Sequence, residues 1–253
     1  MLGLADRLSH ARSLVVTAPL VVIVTAVMGS LSLASSLIDS TGRIQHACAR
    51  WWGRMVLRIC GVTLAVSGDS RLHEEKTYVF CVNHQSHMDI PVVLAAIPIP
   101  FRFAAKKELF RIPFLGWHLR RSGHIVIDRQ NPHAAVKSFR GASEKLRGGV
   151  SLVFFPEGGT SFDGSIKPFK GGGFVLAGQA QAPVVPVTIR GSRAVLLPKT
   201  QHVRGGPIEV ILGKPIAPEG CSSRELMARV REEIVTTFEN GKTLDRNTHT
   251  FSR

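Results

Sequence analysis

From Ser13 to Ile38 no side chain carries a charge, and Leu14–Met28 is almost entirely apolar. That is about the length a membrane helix needs. Arg7 and Arg12 precede the stretch and Asp39 follows it. Pro19 and the serines at positions 30, 32, 35 and 36 equally suit a helix that dips into one leaflet. Spanning, leaflet insertion and burial in a core are therefore the three readings. A cleavable leader fits less well, because its apolar core would be shorter. The pattern then changes. Ile44, Cys48, Trp51, Met55 and Ile59 recur at helical spacing, with Arg50, Arg54 and Arg58 on a neighbouring face and Arg43 nearby. This predicts an amphipathic helix, lying either in the membrane interface or packed on the domain that follows.

After residue 60 short apolar runs alternate with helical patterns. Val62–Val66, Thr77–Val82, Phe101–Ala105, His124–Ile127, Val150–Phe155, Val184–Ile189 and Ile208–Leu212 read as strands. Ala135, Phe139, Ala142 and Leu146 mark one face of a helix, opened by Asn131-Pro132. Ser222 and Glu225 have the spacing of a capping box for a last helix through Leu226, Val230, Ile234 and Phe238, with Gly241 as its stop. The alternation predicts an α/β fold: a mostly parallel or mixed sheet of about seven strands flanked by helices, with an N-terminal membrane-associated helical segment. The expected organisation is an anchor over residues 1–60, an α/β domain over 61–242 and a polar, disordered tail over 243–253.

Charge narrows the class of partner. A formal net charge of +14 implies attraction to nucleic acid, anionic lipid or a phosphorylated substrate. The four cysteines, Cys48, Cys60, Cys81 and Cys221, are scattered and read as apolar fillers in a reducing compartment.

Three unusual passages each follow a predicted strand. His84 and Asp89, in Asn83-His84-Gln85-Ser86-His87-Met88-Asp89, come first. Residues five apart on a helix differ by roughly 140° and share no face. His84 therefore belongs to a turn and Asp89 to the first turn of a helix. From there the carboxylate holds one imidazole nitrogen and leaves the other as a base. Asn83 is placed to cap that helix or orient the loop. Reading His84, His87 and Asp89 as metal ligands finds no supporting Cys or Glu, and a capping His with an Asp on the helix dipole is the structural alternative. The second passage, Lys106-Lys107-Glu108-Leu109, sets lysines at a strand end, as an anion site or a solvated basic stretch. In the third, Phe155-Pro156-Glu157-Gly158-Gly159-Thr160-Ser161, a Gly pair lets the backbone approach a ligand. Glu157 there could meet a substrate hydroxyl or a basic partner. Lys167 and Lys170 add charge just beyond. If the strands run parallel, the three passages converge at one sheet edge.

On these residues the chain resembles the PlsC-type glycerolipid acyltransferases. Their H-x4-D motif appears as His84 and Asp89, and K-x-E-L-x-x-x-P-x-x-G as Lys106, Glu108, Leu109, Pro113 and Gly116. F-P-E-G-T-R-S appears as Phe155 to Ser161, and V-P-V as Val185-Pro186-Val187. The resemblance implies transfer of an acyl chain from acyl-CoA or acyl carrier protein to the sn-2 hydroxyl of lysophosphatidate. It implies His84 and Asp89 as catalytic and Lys106, Glu157, Gly158 and Lys170 as substrate-binding. It implies no metal and no cofactor beyond the donor, and no nucleic-acid partner. The site would lie at the cell membrane, on its cytoplasmic face. One position departs: Thr160 stands where the family's arginine helps hold the acceptor's phosphate. Lys106, Lys167 and Lys170 are candidates to replace that charge; another lysolipid or an amino-acid lipid is the alternative acceptor. A lipid hydrolase would call for a G-x-S-x-G elbow, which the chain does not contain. A non-catalytic protein binding anionic lipid would need the charge but not His84, Asp89 and Glu157 at strand ends.

Overall fold

The computed structural model of the chain describes residues 4–68, 72–73, 75–112, 114–127 and 141–247. Seven strands form a single sheet: β1 (Val62–Gly68), β2 (Val79–Val82), β3 (Phe101–Lys106), β4 (Ile125–Ile127), β5 (Ser151–Phe154), β6 (Val184–Arg190) and β7 (Gly206–Leu212). Each lies within two residues of its place in the apolar pattern. The spatial order is β1-β7-β6-β2-β5-β3-β4. From β6 to β4 all neighbours are parallel; β7 turns antiparallel to β6, and β1 pairs parallel with β7.

Alternation along β2 divides the core. Phe80 and Val82 point to one face, against Val92, Val93 and Ile97 and against Val56 and Leu57. Val79 and Cys81 point to the other, against Phe174, Leu226, Val230 and Ile234. The first group sits on α3 (Arg43–Ile59) and α4 (Asp89–Ala96). After them in the chain come α5 (Leu115–Arg121) and α6, described over residues 141–147. The second face is covered by α7 (Gly172–Ala180) and, beyond the short α8 (Ser192–Val195), by α9 (Ser223–Asn247). Helices on both faces explain why β2 is buried throughout and reads as a continuous apolar run. Ala142 and Leu146 of α6 are buried as their period predicts; Asn131-Pro132, Ala135 and Phe139 lie outside the described residues.

The capping box at α9 forms: Ser222 N–H donates to Glu225 Oε2 at 2.8 Å, and Glu225 N–H to Ser222 Oγ at 3.2 Å. Its far end differs from expectation. The helix runs through Gly241 to Asn247, so residues 243–247 are helical and Gly241 is no stop. Gly241 packs against the Arg190 guanidinium, which would have to shift to admit a Cβ. The glycine serves a close approach there rather than a left-handed cap. Residues 248–253 lie outside the described part.

At the N-terminus α1 (Leu4–Arg12), a π-helical turn (Ser13–Thr17) and α2 (Ala18–Ser35) join end to end. Asp6–Ser35 is one apolar helix of 30 residues, about 45 Å long at 1.5 Å per residue. A core helix would hide its apolar side chains, but Val15 is 73% exposed and Val22 66%; that reading falls. Both ends of the helix touch the α/β domain. Near the start, Ser13 Oγ donates to Val203 O and accepts from Val203 N–H, each at 3.0 Å. Near the end, Ser32 Oγ and His118 Nδ1 lie 2.8 Å apart. Between them Trp52 Nε1–H donates to Thr25 Oγ1 at 2.9 Å.

Helix α3 turns Val56 and Leu57 inward and meets α4 through Gly53, where a Cβ would fall 2.8 Å from Pro91 O. The face picked out by Ile44, Trp51 and Met55 points outward, Trp51 at 58% exposure under the Arg54 guanidinium. Packing on the domain uses the opposite face, so the apolar-basic stripe remains available to another phase.

His46 sits inside this arrangement, edge-on to Phe101 with ring centroids 4.8 Å apart. Burial, then the nearby Arg102 and Arg50 cations, hold its pKa down to about 3. The unfolded chain takes up the same proton near pH 6.5, so this contribution to stability is complete above that pH and is lost as pH falls toward 3. Each unit in that window costs up to about 1.4 kcal/mol. Burial also lowers the pKa of His118 and His124, so thermal unfolding in detergent should show a declining midpoint from pH 6.5 to 5, and His46→Leu should make the decline shallower.

Candidate active site

The carboxyl ends of β6, β2, β5 and β3 lie side by side, because those four strands are neighbours and parallel. The expected convergence of the three passages follows from that order alone. After β2 the chain turns through Asn83–Met88 before α4 begins at Asp89. Asp89 is fully buried, and one of its oxygens does three things. Oδ2 accepts the Gln85 N–H at 2.7 Å and the Ser86 N–H at 2.9 Å. It also lies 2.9 Å from His84 Nδ1. A carboxylate only accepts, so Nδ1 carries a proton, and in the neutral ring Nε2 is then the nitrogen with the lone pair. His84 is 13% exposed, so the ring opens to the surface along a narrow front. Phe155 stacks on it with centroids 4.2 Å apart.

Glu157, just past the end of β5, is bound within the protein. The residue is 6% exposed, and each carboxylate oxygen accepts from main chain. Oε1 accepts the His84 N–H at 2.7 Å, and Oε2 accepts the Lys167 N–H at 2.9 Å. Burial raises its pKa, and the two N–H donors oppose that rise. The residue fixes the His84 peptide and closes the 157–167 loop. Gly158 turns that loop at φ +75°. The Ser161 N–H donates back to His84 O at 2.9 Å, so the His84 residue is held from both sides by the third passage.

The basic residues separate. Lys167 Nζ donates to Thr160 O at 2.6 Å and lies inside the loop's own frame. Lys106, at the end of β3, is 54% exposed and lies 3.6 Å from Glu108. Lys170 is exposed, and its main-chain N–H donates to Pro156 O at 2.9 Å. Pro113 of the second motif lies outside the described residues. Among the described residues no group of three or more His, Cys, Asp or Glu side chains is placed to hold a metal ion; His87 is exposed.

Some residues that organise the site carried little or no signal. Asn83 caps no helix. Its amide donates to Ile189 O at 3.0 Å and accepts from Ile189 N–H at 2.7 Å, tying the His84 turn to β6. Ser86 Oγ donates to Leu196 O at 2.6 Å, and Arg193 Nη1 donates to Ser161 O at 3.2 Å. The position of Asn83 beside His84 was a hint. Nothing in the sequence announced Arg193, whose reach depends on how β6 turns into α8.

An apolar cavity of about 170 Å³ lies between α2, α3, α4 and α5, lined by Met28, Trp52, Ile90, Leu94, Phe103 and Phe114 among others. Phe103 is stacked 6.4 Å from Phe155, which in turn covers His84. The cavity is thus separated from the imidazole by two aromatic rings.

Comparison with known proteins gives a consistent result. An acyltransferase family profile matches residues 63–190. The 1-acyl-sn-glycerol-3-phosphate acyltransferase of Saccharomyces cerevisiae is 30% identical over 214 residues, which are 82% of this chain and 70% of the yeast protein. The protein of that name from Limnanthes douglasii is 36% identical over 165 residues, 65% of this chain and 58% of its own. The crystal structure of PlsC, the 1-acyl-sn-glycerophosphate (LPA) acyltransferase of Thermotoga maritima, matches with a TM-score of 0.79 at 25% identity. It covers 97% of this chain and 100% of that one. Plant and algal relatives are longer, and the chain spans between 40% and 58% of their length.

Glu157→Gln retains the shape but presents an amide N–H₂ to one of two buried N–H donors. The orphaned donor should cost about 1–3 kcal/mol. Denaturant unfolding should record that loss together with reduced activity; unaltered stability would contradict the bracing role.

Proposed function

The chain belongs to the acyltransferase family and is an O-acyltransferase, and from that premise we propose that it acylates the sn-2 hydroxyl of lysophosphatidate, giving phosphatidate for phospholipid synthesis. The donor is a fatty acyl thioester of CoA or acyl carrier protein. The observation that carries the reading is His84, with Nδ1 fixed on Asp89 and Nε2 left as a base, two rings from a cavity of hydrocarbon character.

In this scheme Nε2 takes the hydroxyl proton as the acceptor oxygen attacks the thioester carbonyl. Asp89 holds the tautomer and stabilises the imidazolium that forms. Backbone N–H groups at the strand ends stabilise the tetrahedral oxyanion. Collapse forms the ester bond and breaks the C–S bond, and His84 returns its proton to the leaving thiolate. Proton and electron pairs balance without a covalent acyl-enzyme. Acyl-CoA with lysophosphatidate should give equal amounts of free thiol and diacyl product, and His84→Ala should lower turnover by about 10²–10⁴-fold. Free fatty acid in place of diacyl product would sink the transfer scheme. Thr160 leaves the third motif without its arginine, so acceptors with and without a phosphate belong in the same assay.

The N-terminal helix supports a membrane-surface location, which this reading sets on the cytoplasmic face of the cell membrane. A helix held by one domain at Ser13 and again at Ser32 lies along that domain, with its exposed side in a single leaflet. Arg7→Cys and Ser40→Cys, each in a chain whose four native cysteines are alanine, should react with an impermeant thiol reagent from the same side of sealed vesicles. Labelling from opposite sides would require the helix to span.

A further inference from the structure

The segment that follows β3 leaves the sheet from the edge that carries His84, since β2 and β3 both run parallel to β5 and end there. It forms a short 3₁₀ turn (Lys107–Arg111) and then α5. Its inward side joins the core, with Phe110 and Leu119 buried. Its outward side is unusual for a protein surface facing water. Trp117 is 56% exposed and Ile112 47%, and Leu109 and Leu115 are exposed too. Trp117 and Arg121 stand four apart on α5 and share its outer side, away from Leu119. Arg111 and Arg120 are exposed as well, and no acid occurs between Glu108 and Asp128. Aliphatic and aromatic side chains with arginine as the only fixed charge match a lipid interface, where tryptophan settles at headgroup level.

This segment is locked to the N-terminal helix. The Phe114 ring packs directly on Gly29 of α2, and one turn further His118 Nδ1 meets Ser32 Oγ at 2.8 Å. Phe114 takes φ +68° in making its contact, a conformation that bulky side chains rarely adopt. Beyond α2 comes a turn with Leu37 and Ile38 almost fully exposed. It closes at Gly42, which lies against Arg102 and against Ser122 at the end of α5. The exposed apolar side chains of α2 and those after β3 therefore belong to elements fixed on each other. A leaflet that receives the end of α2 lies within reach of both. A second copy of the chain is a poorer match, since a two-fold contact sets two wholly basic patches together.

We propose that Leu109, Ile112, Leu115 and Trp117, with Arg111 and Arg121, form a second membrane contact on the α/β domain itself, made to a leaflet that contains anionic lipid. It rests on the reading of the N-terminal helix as leaflet-bound and adds a contact that the helix does not supply. Two contacts fix a tilt that one helix leaves free. Because the second lies at the carboxyl edge of the sheet, it sets the His84 opening close to the lipid surface.

The test uses the full chain bound to vesicles of phosphatidylcholine and phosphatidylglycerol. Val22→Cys on α2, Ile112→Cys, Trp117→Cys and Arg147→Cys are each made in a chain whose four native cysteines are alanine. Each carries a polarity-sensitive nitrobenzoxadiazole label. All four positions are exposed, so the substitutions disturb little packing, and Arg147 precedes β5 at the opposite edge of the sheet. On vesicle binding the labels at positions 112 and 117 should shift to the blue and lose emission to lipids bearing a nitroxide high on the acyl chain. The label at position 22 should do the same, and that at position 147 should do neither. Arg111→Gln/Arg121→Gln should lower partitioning into these vesicles by about 5-fold for each arginine removed and leave partitioning into pure phosphatidylcholine unchanged. Labels at 112 and 117 that behave like the one at 147 overturn the proposal; if position 22 is quenched in the same vesicles, the helix reading stands. A blue shift at 112 and 117 without nitroxide quenching also overturns it, because the contact is then with protein. So does anionic partitioning that the double variant leaves unchanged. Quenching at 112 and 117 but not at 22 supports the second contact and sinks the leaflet reading of the helix.

Discussion

A buried carboxylate that binds only main chain holds the site together. Glu157 accepts the N–H of His84 with one oxygen and that of Lys167 with the other. Such charge-assisted bonds are worth about 1.5–3 kcal/mol each against the cost of burying the ion. What they secure is relative position. The His84 peptide is fixed to the loop after β5, and Ser161 N–H closes the same contact from the other side. With that peptide fixed, the imidazole can meet Asp89 at one nitrogen and face outward with the other.

The remaining supports come from further along the chain. Asn83 takes both hydrogen-bonding groups of Ile189, and Ser86 reaches Leu196. The segment from the end of β6 through α8 therefore acts as a strap across the His84 turn, and Arg193 extends it to the third-motif loop. A site made of loops gains rigidity here from strands on either side. The apolar N-terminus is organised the same way: one long helix, docked at both ends, forms a wall of the apolar cavity while most of its length faces outward.

Much of this was legible because it is local. Strand alternation, the capping box at Ser222 and the helix start at Asp89 depend on neighbours within a few residues. The five-residue separation of His84 and Asp89 already places one in a turn and the other in a helix. One local reading misled. Gly241 looked like a helix stop, but the helix runs on past it, with the guanidinium of Arg190, distant in sequence, packed on it. The partners of Glu157, the amides of residues 84 and 167, are not legible from its neighbours at all.

The sequence by itself determined the α/β class, the seven strands, the apolar N-terminal helix and the turn-to-helix spacing of His84 and Asp89, since periodicity and short spacings encode those directly. Tertiary structure alone decided the strand order that brings four strand ends together, the docking of the long helix at Ser13 and Ser32, and the partners of Glu157 and Arg193. Those contacts join residues tens of positions apart or more. Which partners meet is settled by the burial of the whole sheet between its helices, a property no single segment carries.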